Sequence, residues 1–204
     1  MSLKRYLEGF RFGMFLQLAI GPMAMLTFNT GKNDGFWVAF SLVLAIVLVD
    51  AFYITLACFG ASKLLEKPAA KKIFRFVGSA VLILFGLNMA LGLFGISLIP
   101  ALSVRPTSKS IFLQGLVMTL SNPMTIIFWG SILTAKIAEH DFSPGETAAY
   151  SMGVWTTSLV ALTLLDLLGV FVGSFLSPAV SAVLNAVVGI FLVGFGIRIF
   201  LKKS

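Results

Sequence analysis

Six apolar stretches, each near the roughly 20 residues that a bilayer-spanning helix needs, follow one another along this chain. They run from Phe10 to Phe28, Trp37 to Gly60, Phe74 to Leu98, Ile111 to Leu133, Tyr150 to Leu176 and Ala182 to Leu201. The connections are short, and the longest polar one, Lys136 to Thr147, is too small to fold alone or to host chemistry. With 58% hydrophobic and 11% charged residues, and a mean hydropathy of +1.01, the chain holds more apolar surface than a soluble core of its size hides. Hydrocarbon satisfies no backbone amide or carbonyl, so each stretch must close its own hydrogen bonds as a helix. The expected architecture is an all-α polytopic membrane protein, with residues 1–204 forming a single transmembrane domain.

The first stretch is too long and proline-interrupted for a cleaved secretory signal, and it runs into Asn29-Thr30-Gly31-Lys32, so it reads as a retained span. Cys58 is the one cysteine, which leaves no internal disulfide and no thiol cluster for metal. No cofactor or metal is implied, and His140 among Glu139, Asp141 and Glu146 reads as a solvated loop.

The net charge of +7 alternates by side once six spans are imposed. Lys4, Arg5, Arg11, Lys63, Lys67, Lys71, Lys72, Arg75, Lys136, Arg198, Lys202 and Lys203 fall on the amino-terminal side, against Lys32, Arg105 and Lys109 opposite. By the positive-inside rule both termini are cytoplasmic. The run from Lys63 to Arg75 is placed against anionic lipid headgroups, and a nucleic-acid groove is set aside.

Splitting the chain near Pro100 gives two halves, about 1–100 and 101–204, in which a broken helix, an aspartate-bearing helix and a glycine-rich helix recur in order. Ala19-Ile20-Gly21-Pro22 interrupts the first span and Leu120-Ser121-Asn122-Pro123 the fourth. In the third and sixth spans, Gly78 and Gly86 match Gly189 and Gly196. Three spans being odd, the second half lies upside down relative to the first, which predicts a 3+3 inverted repeat with broken helices 1 and 4.

Irregular backbone at membrane depth is tolerated where it lines protein or a water-filled cavity, so paired breaks point to a transport site. Pro22 and Pro123 each remove a backbone hydrogen bond, freeing carbonyls near Leu18 and Thr119. Half-helix amino termini favour an anionic group and freed carbonyls an ammonium; an amino acid carries both. Gly21, Pro22, Asn122 and Pro123 are therefore the expected substrate-binding frame, with Gln17 and Gln114 lining the path. Gln17 and Gln114 suit interhelical hydrogen bonding equally well.

A carboxylate at the bilayer centre is expensive, so Asp50 and Asp166 are expected to face the interior as proton or ammonium partners. Asp166 shares a helix face with Thr163, Gly169 and Gly173, a small and polar stripe suited to close helix contact. Asp50 shares its side with Tyr53 and Ala57 but also with Ile46, Val47 and Ile54. Asn88 and Asn185 read as structural, and Arg198 as a residue reaching the cytoplasmic interface.

The length, the six spans, Gly13 followed by Gly21-Pro22, Asp50 in the second span, and Phe112-Leu113-Gln114-Gly115 to Asn122-Pro123 together resemble the lysine exporter (LysE/RhtB) superfamily. The likeness covers nearly the whole chain. Typical members carry Pro-Gly-Pro followed by Asn or Gln where this chain has Ile20-Gly21-Pro22-Met23, a departure that bears on substrate more than on fold. The resemblance implies a bacterial secondary exporter of amino acids or similar metabolites, driven by the proton motive force. Its alternative within the same superfamily is an exporter of metal or inorganic ions, for which the two aspartates are a thin ligand set. A membrane enzyme lacks a catalytic pair here, and a non-transporting assembly subunit gives no reason for paired breaks. The substrate side chain, the coupling ion, and monomer or homodimer all stay open.

Overall fold

The computed structural model describes residues 2–17, 22–58, 68–96, 98, 107–122, 125, 129 and 142–201. Gly21, Pro123, Lys63, Lys67, Pro100, Arg105, Lys136, His140, Lys202 and Lys203 lie outside them, and Lys71, Lys72 and Arg75 are described only as helical backbone.

Every described regular element is helical: α1 (Leu3–Gln17), α2 (Pro22–Asp34), α3 (Phe36–Cys58), α4 (Pro68–Leu91), α5 (Ser108–Leu120), α6 (Pro144–Gly173) and α7 (Pro178–Leu201). Among the described residues α3, α6 and α7 are long and apolar enough to cross a membrane. Their flanks expose Leu48, Phe52, Leu164, Phe171, Val187 and Ile190, while Asp50, Thr119, Thr157, Ser158 and Asp166 are buried. An apolar outside around a polar inside is the arrangement that suits a bundle solvated by lipid.

Element ends follow local chemistry. The first stretch is two helices, α1 closing at Gln17 and α2 opening on Pro22. Proline lacks the amide that a first helical position leaves unused. One residue joins α2 to α3: Gly35, at φ 85°, in the left-handed region that costs glycine least. The third stretch is displaced from Phe74 to Leu98: α4 starts at Pro68 and stops at Leu91. There a short 3-10 turn, Gly92–Phe94, leads into Gly95 at φ 71°. α6 starts before Tyr150 because Ser143 and Glu146 form a reciprocal capping box with Pro144 at the first turn.

Three packing relations set the interior. α1 and α2 both run parallel to α6 in one register: Arg5 meets Glu146 and Gln17 meets Ser158, each 141 residues on. The same offset relates Gly9 to Tyr150, Gly13 to Val154, Phe28 to Gly169 and Lys32 to Gly173, where backbone lies on backbone. α3 and α5 are also parallel, since the Ser41 hydroxyl donates to the Ser108 carbonyl and the Tyr53 hydroxyl to the Leu120 carbonyl, both 67 residues on. α4 and α7 are antiparallel, with Gly86 against Gly189, Gly196 against Ser79, and the Phe76 and Phe200 rings 6.2 Å apart. A Cβ on Gly189 would fall 2.6 Å from the Ala90 nitrogen, so glycine is what lets these helices touch.

Candidate functional site

Polar groups of four segments converge beside the two helix breaks. Gln17, the last residue of α1, donates to the Ser158 hydroxyl of α6 at 3.0 Å. Ser158 also hydrogen bonds the Asp50 carboxylate of α3, which accepts from Trp129 Nε1 at 2.9 Å. Asp50, Trp129 and Ser158 are all buried. Nearby, Trp155 Nε1 donates to the Val47 carbonyl at 2.9 Å and Thr157 Oγ1 to the Phe10 carbonyl at 3.1 Å. α1 ends here and α2 begins at Pro22, so carbonyls of the last turn of α1 and amides of the first turn of α2 have no partner within their own helices.

At the second break α5 ends at Leu120, and the buried Asn122 follows a turn at Ser121. The Thr119 carbonyl, expected to be freed, accepts from the Asn122 amide at 3.2 Å, because the chain tightens by one residue as the helix stops. The Asn122 carbonyl in turn accepts from the Thr125 amide at 3.1 Å. Gly21 and Pro123, the other two members of the expected frame, are outside the described residues.

The two aspartates do not share one cluster. Asp166 lies eight residues beyond Ser158 on α6, about 12 Å along the axis at 1.5 Å per residue. It faces α2, where a Cβ on Gly31 would meet its carbonyl oxygen at 2.6 Å and Oδ1 at 2.7 Å. The predicted stripe is an interior face, since Gly169 and Gly173 also rest on α2. Both Asp166 carboxylate oxygens are buried without a hydrogen-bond partner. Such a group is costly while ionised and at ease when protonated or ligand-bound.

Gln114 is elsewhere again, on the wall of a cavity of about 410 Å³ between α2, α4, α5 and α7. From α2 the cavity takes Leu26, Asn29, Thr30 and Asn33, one helix face at steps of three and four. Asn88 and Asn185, read from sequence as structural, line it too, and Asn185 Oδ1 accepts from Lys32 Nζ at 2.7 Å and Asn33 Nδ2 at 2.8 Å. Trp129, Ser158 and the α2 asparagines were not singled out in sequence, and Asn88 and Asn185 were given only a structural role there. The 26, 29, 30, 33 spacing was the available signal for α2, whereas α4 and α7 offered none.

The two ends of the bundle differ. At the end carrying the amino terminus, Arg5 pairs with Glu8 at 2.8 Å and with Glu146 at 2.9 Å, and its guanidinium lies 4.6 Å from the Phe142 ring centre. Those hydrogen bonds, to Glu8 first and Glu146 second, raise Arg5 above its ordinary pKa, and Arg5 and then Ser143 hold Glu146 below its own. At the other end, in the last turn of α2 and beyond the Phe10–Phe28 stretch, burial pushes Asp34 up to about 6 against the pull of Lys32, and burial lowers Lys32. The cavity is at this second end, with Asp34 on its wall.

Comparison with known proteins is consistent with this geometry. The family model described as "LysE type translocator" matches residues 14–203. A "Putative amino acid efflux protein YcgF" of Bacillus subtilis (strain 168) is 29% identical over 152 residues, 72% of each chain. A "Leucine efflux protein" of Enterobacter sp. (strain 638) is 25% identical over 192 residues, covering 91% of this chain and 90% of the relative. No solved structure matches.

Proposed function

Since this chain belongs to the LysE type translocator family, we propose that it is a secondary transporter exporting amino acids or closely related metabolites across the bacterial cytoplasmic membrane. The observation that carries the reading is the break between α1 and α2, where helix ends lacking partners within their own helices lie beside Gln17, Ser158, Asp50 and Trp129. Amino-acid efflux, named for both relatives, supplies the substrate class.

In this reading the chain is one transmembrane domain of six spans, a three-plus-three inverted repeat of residues 1–100 and 101–204. Support comes from the packing: α1 pairs with α6 in parallel as α5 pairs with α3, and α4 meets α7 antiparallel. An internal twofold axis would exchange the first two pairs and return the third to itself. The sum of basic residues puts both termini in the cytoplasm, and the run from Lys63 to Arg75 at anionic headgroups. The substrate backbone is held at Gly21, Pro22, Asn122 and Pro123, with Asp50 and Asp166 carrying the proton or the substrate ammonium. Asp166 suits the proton, since its buried oxygens have no other partner among the described residues, and Asp50 suits a polar ligand arriving at the break.

Alternating access requires one end closed while the other is open. Arg5, Glu146 and the Gly9 and Gly153 contacts draw α1 onto α6 at the amino-terminal end, and the cavity lies at the opposite end. In this reading that arrangement corresponds to an outward-open state. Cells loaded with dipeptides and expressing the protein are expected to release one or a few amino acids faster, in a protonophore-sensitive way. Asp166→Asn and Pro22→Ala, at wild-type membrane abundance, are expected to abolish that release; undiminished flux in Asp166→Asn would remove it as the coupling residue.

A further inference from the structure

We propose that Lys32 is a two-position cation serving Asp166: it rests on the Ser181 carbonyl and Asn185 while Asp166 holds a proton, and crosses to the carboxylate when that proton leaves. The role of the proton rests on the exporter reading above, and the pairing rests on the packing of α2 against α6.

Lys32 is 8% exposed and reaches α7, donating to the Ser181 carbonyl at 3.1 Å and to Asn185 Oδ1 at 2.7 Å. Both acceptors are neutral, and among the described residues no carboxylate stands within salt-bridge distance of it. Asp166 is fully buried, with neither carboxylate oxygen hydrogen bonded. Two buried groups of opposite charge are thus held on neighbouring helices, each offering what the other lacks.

The path between them is short. Oδ1 of Asp166 stands 2.7 Å from where a Cβ on Gly31 would be, and successive Cα atoms are about 3.8 Å apart, so it lies within about 8 Å of the Lys32 Cα. An extended four-carbon stem and one hydrogen bond cover that distance. The Lys32 nitrogen of the backbone lies 3.1 Å from the Cβ position of Gly169, three residues beyond Asp166. A helical side chain leans toward the amino end of its own helix, and α2 and α6 are parallel, so Lys32 leans toward the turn that carries Asp166. Gly31 and Gly169 put no side chain of their own in between.

Other charges are worse placed. The helices packed on α6 are α1, α2 and α3. α2 adds Asp34, two residues from Lys32 and so on another face of the helix. α3 adds Asp50, held at Ser158 about two turns back along α6, and α1 carries Lys4, Arg5, Glu8 and Arg11 toward the opposite end. Asn185 lines the cavity, so departure of Lys32 leaves it to Asn33 alone and makes loss of the proton felt on that wall.

The test is a double-mutant cycle on the full-length protein in lipid nanodiscs, read as melting temperature at about pH 5 and about pH 9. Lys32→Met is expected to lose about 4 °C more at the higher pH than at the lower, because the ionised carboxylate is then left alone. That extra loss should vanish in the Asp166→Asn background and be absent in Lys32→Arg. Asn185→Leu tests the crossing itself: its cost should be larger at about pH 5, where Lys32 rests on Asn185, than at about pH 9, where Lys32 has left. Lys32→Gln, which keeps a donor for Asn185, takes the place of Lys32→Met if the latter fails to fold. An equal Lys32→Met loss with and without the Asp166 carboxylate overturns the pairing, and an Asn185→Leu cost that ignores pH overturns the crossing. Efflux from loaded cells is scored separately: coupling without amino-acid release removes the exporter reading and keeps the pair, and protonophore-sensitive release without coupling does the reverse.

Discussion

Gly9→Ala probes the closure of the amino-terminal end most directly. A Cβ there would stand 2.9 Å from the Tyr150 carbonyl carbon and 3.1 Å from its Cα, where ordinary contact begins near 3.4 Å, and closer still to the carbonyl oxygen. All three neighbours are backbone, so no rotamer relieves the clash and α1 must part from α6 by about 0.5 Å or more. Overpacking of this kind costs about 1–3 kcal/mol, and alanine returns up to about 1 kcal/mol of helix propensity. A net penalty of about 1–2 kcal/mol on the closed arrangement shifts its population about 5- to 30-fold.

The reporter is already in the chain. Cys58, the sole cysteine, is half-buried with Sγ 3.1 Å from the Ser151 hydroxyl, and it packs on the same apolar cluster as Phe12 of α1 and Tyr150 of α6. Maleimide labelling of Cys58 in inverted membrane vesicles is expected to speed up about 5- to 30-fold in Gly9→Ala. Gly194→Ala, whose Cβ would meet nothing within 4 Å, should label like wild type. Wild-type labelling in a Gly9→Ala protein of normal abundance and melting temperature would refute the view that this contact holds one end shut.

Other expectations follow from the same geometry. Trp129→Phe keeps an aromatic ring but is smaller and removes the donor to Asp50, so flux should fall about tenfold with a stability loss of about 1–2 kcal/mol from the void, measured by efflux and by melting in detergent. Gly86→Ala pushes against the Gly189 carbonyl at 2.6 Å and should lower stability by about 1–3 kcal/mol, read as a loss of melting temperature. For Asp34, burial raises the folded carboxyl to about 6, so its charge costs stability above that pH and is lost as pH falls through it. The charged group acting on it is Lys32 on α2. Thermal stability should therefore rise as pH drops from about 7 to about 5, and Asp34→Asn should flatten that profile.

Much of the fold was written in local pattern. Composition alone demands helices, Ser143-Pro144-Gly145-Glu146 announces the start of α6, and the 166, 169, 173 stripe marks the face that meets α2. Glycines in the third and sixth spans were legible as a repeat, and three of them, Gly86, Gly189 and Gly196, prove to lie in the α4–α7 contact. What escaped sequence was joint occupancy. Asn29, Asn88 and Asn185 come from three helices, and nothing local in any one of them marks the others as neighbours. Trp129 was one aromatic residue among many until α3 placed Asp50 against it. Asp50 and Asp166, alike in sequence as intramembrane carboxylates, differ because one is given donors and the other is given a glycine face.

The unbroken length of α6 bears on the cut opposite it. Because α1 and α2 keep one offset of 141 along α6 on both sides of the cut, the thirty-residue helix acts as a splint across a fracture. A splinted fracture stays aligned. In the state described here the last turn of α1 and the first turn of α2 are held in line on one face of α6, and a substrate reaching the cut meets two helix ends already aligned.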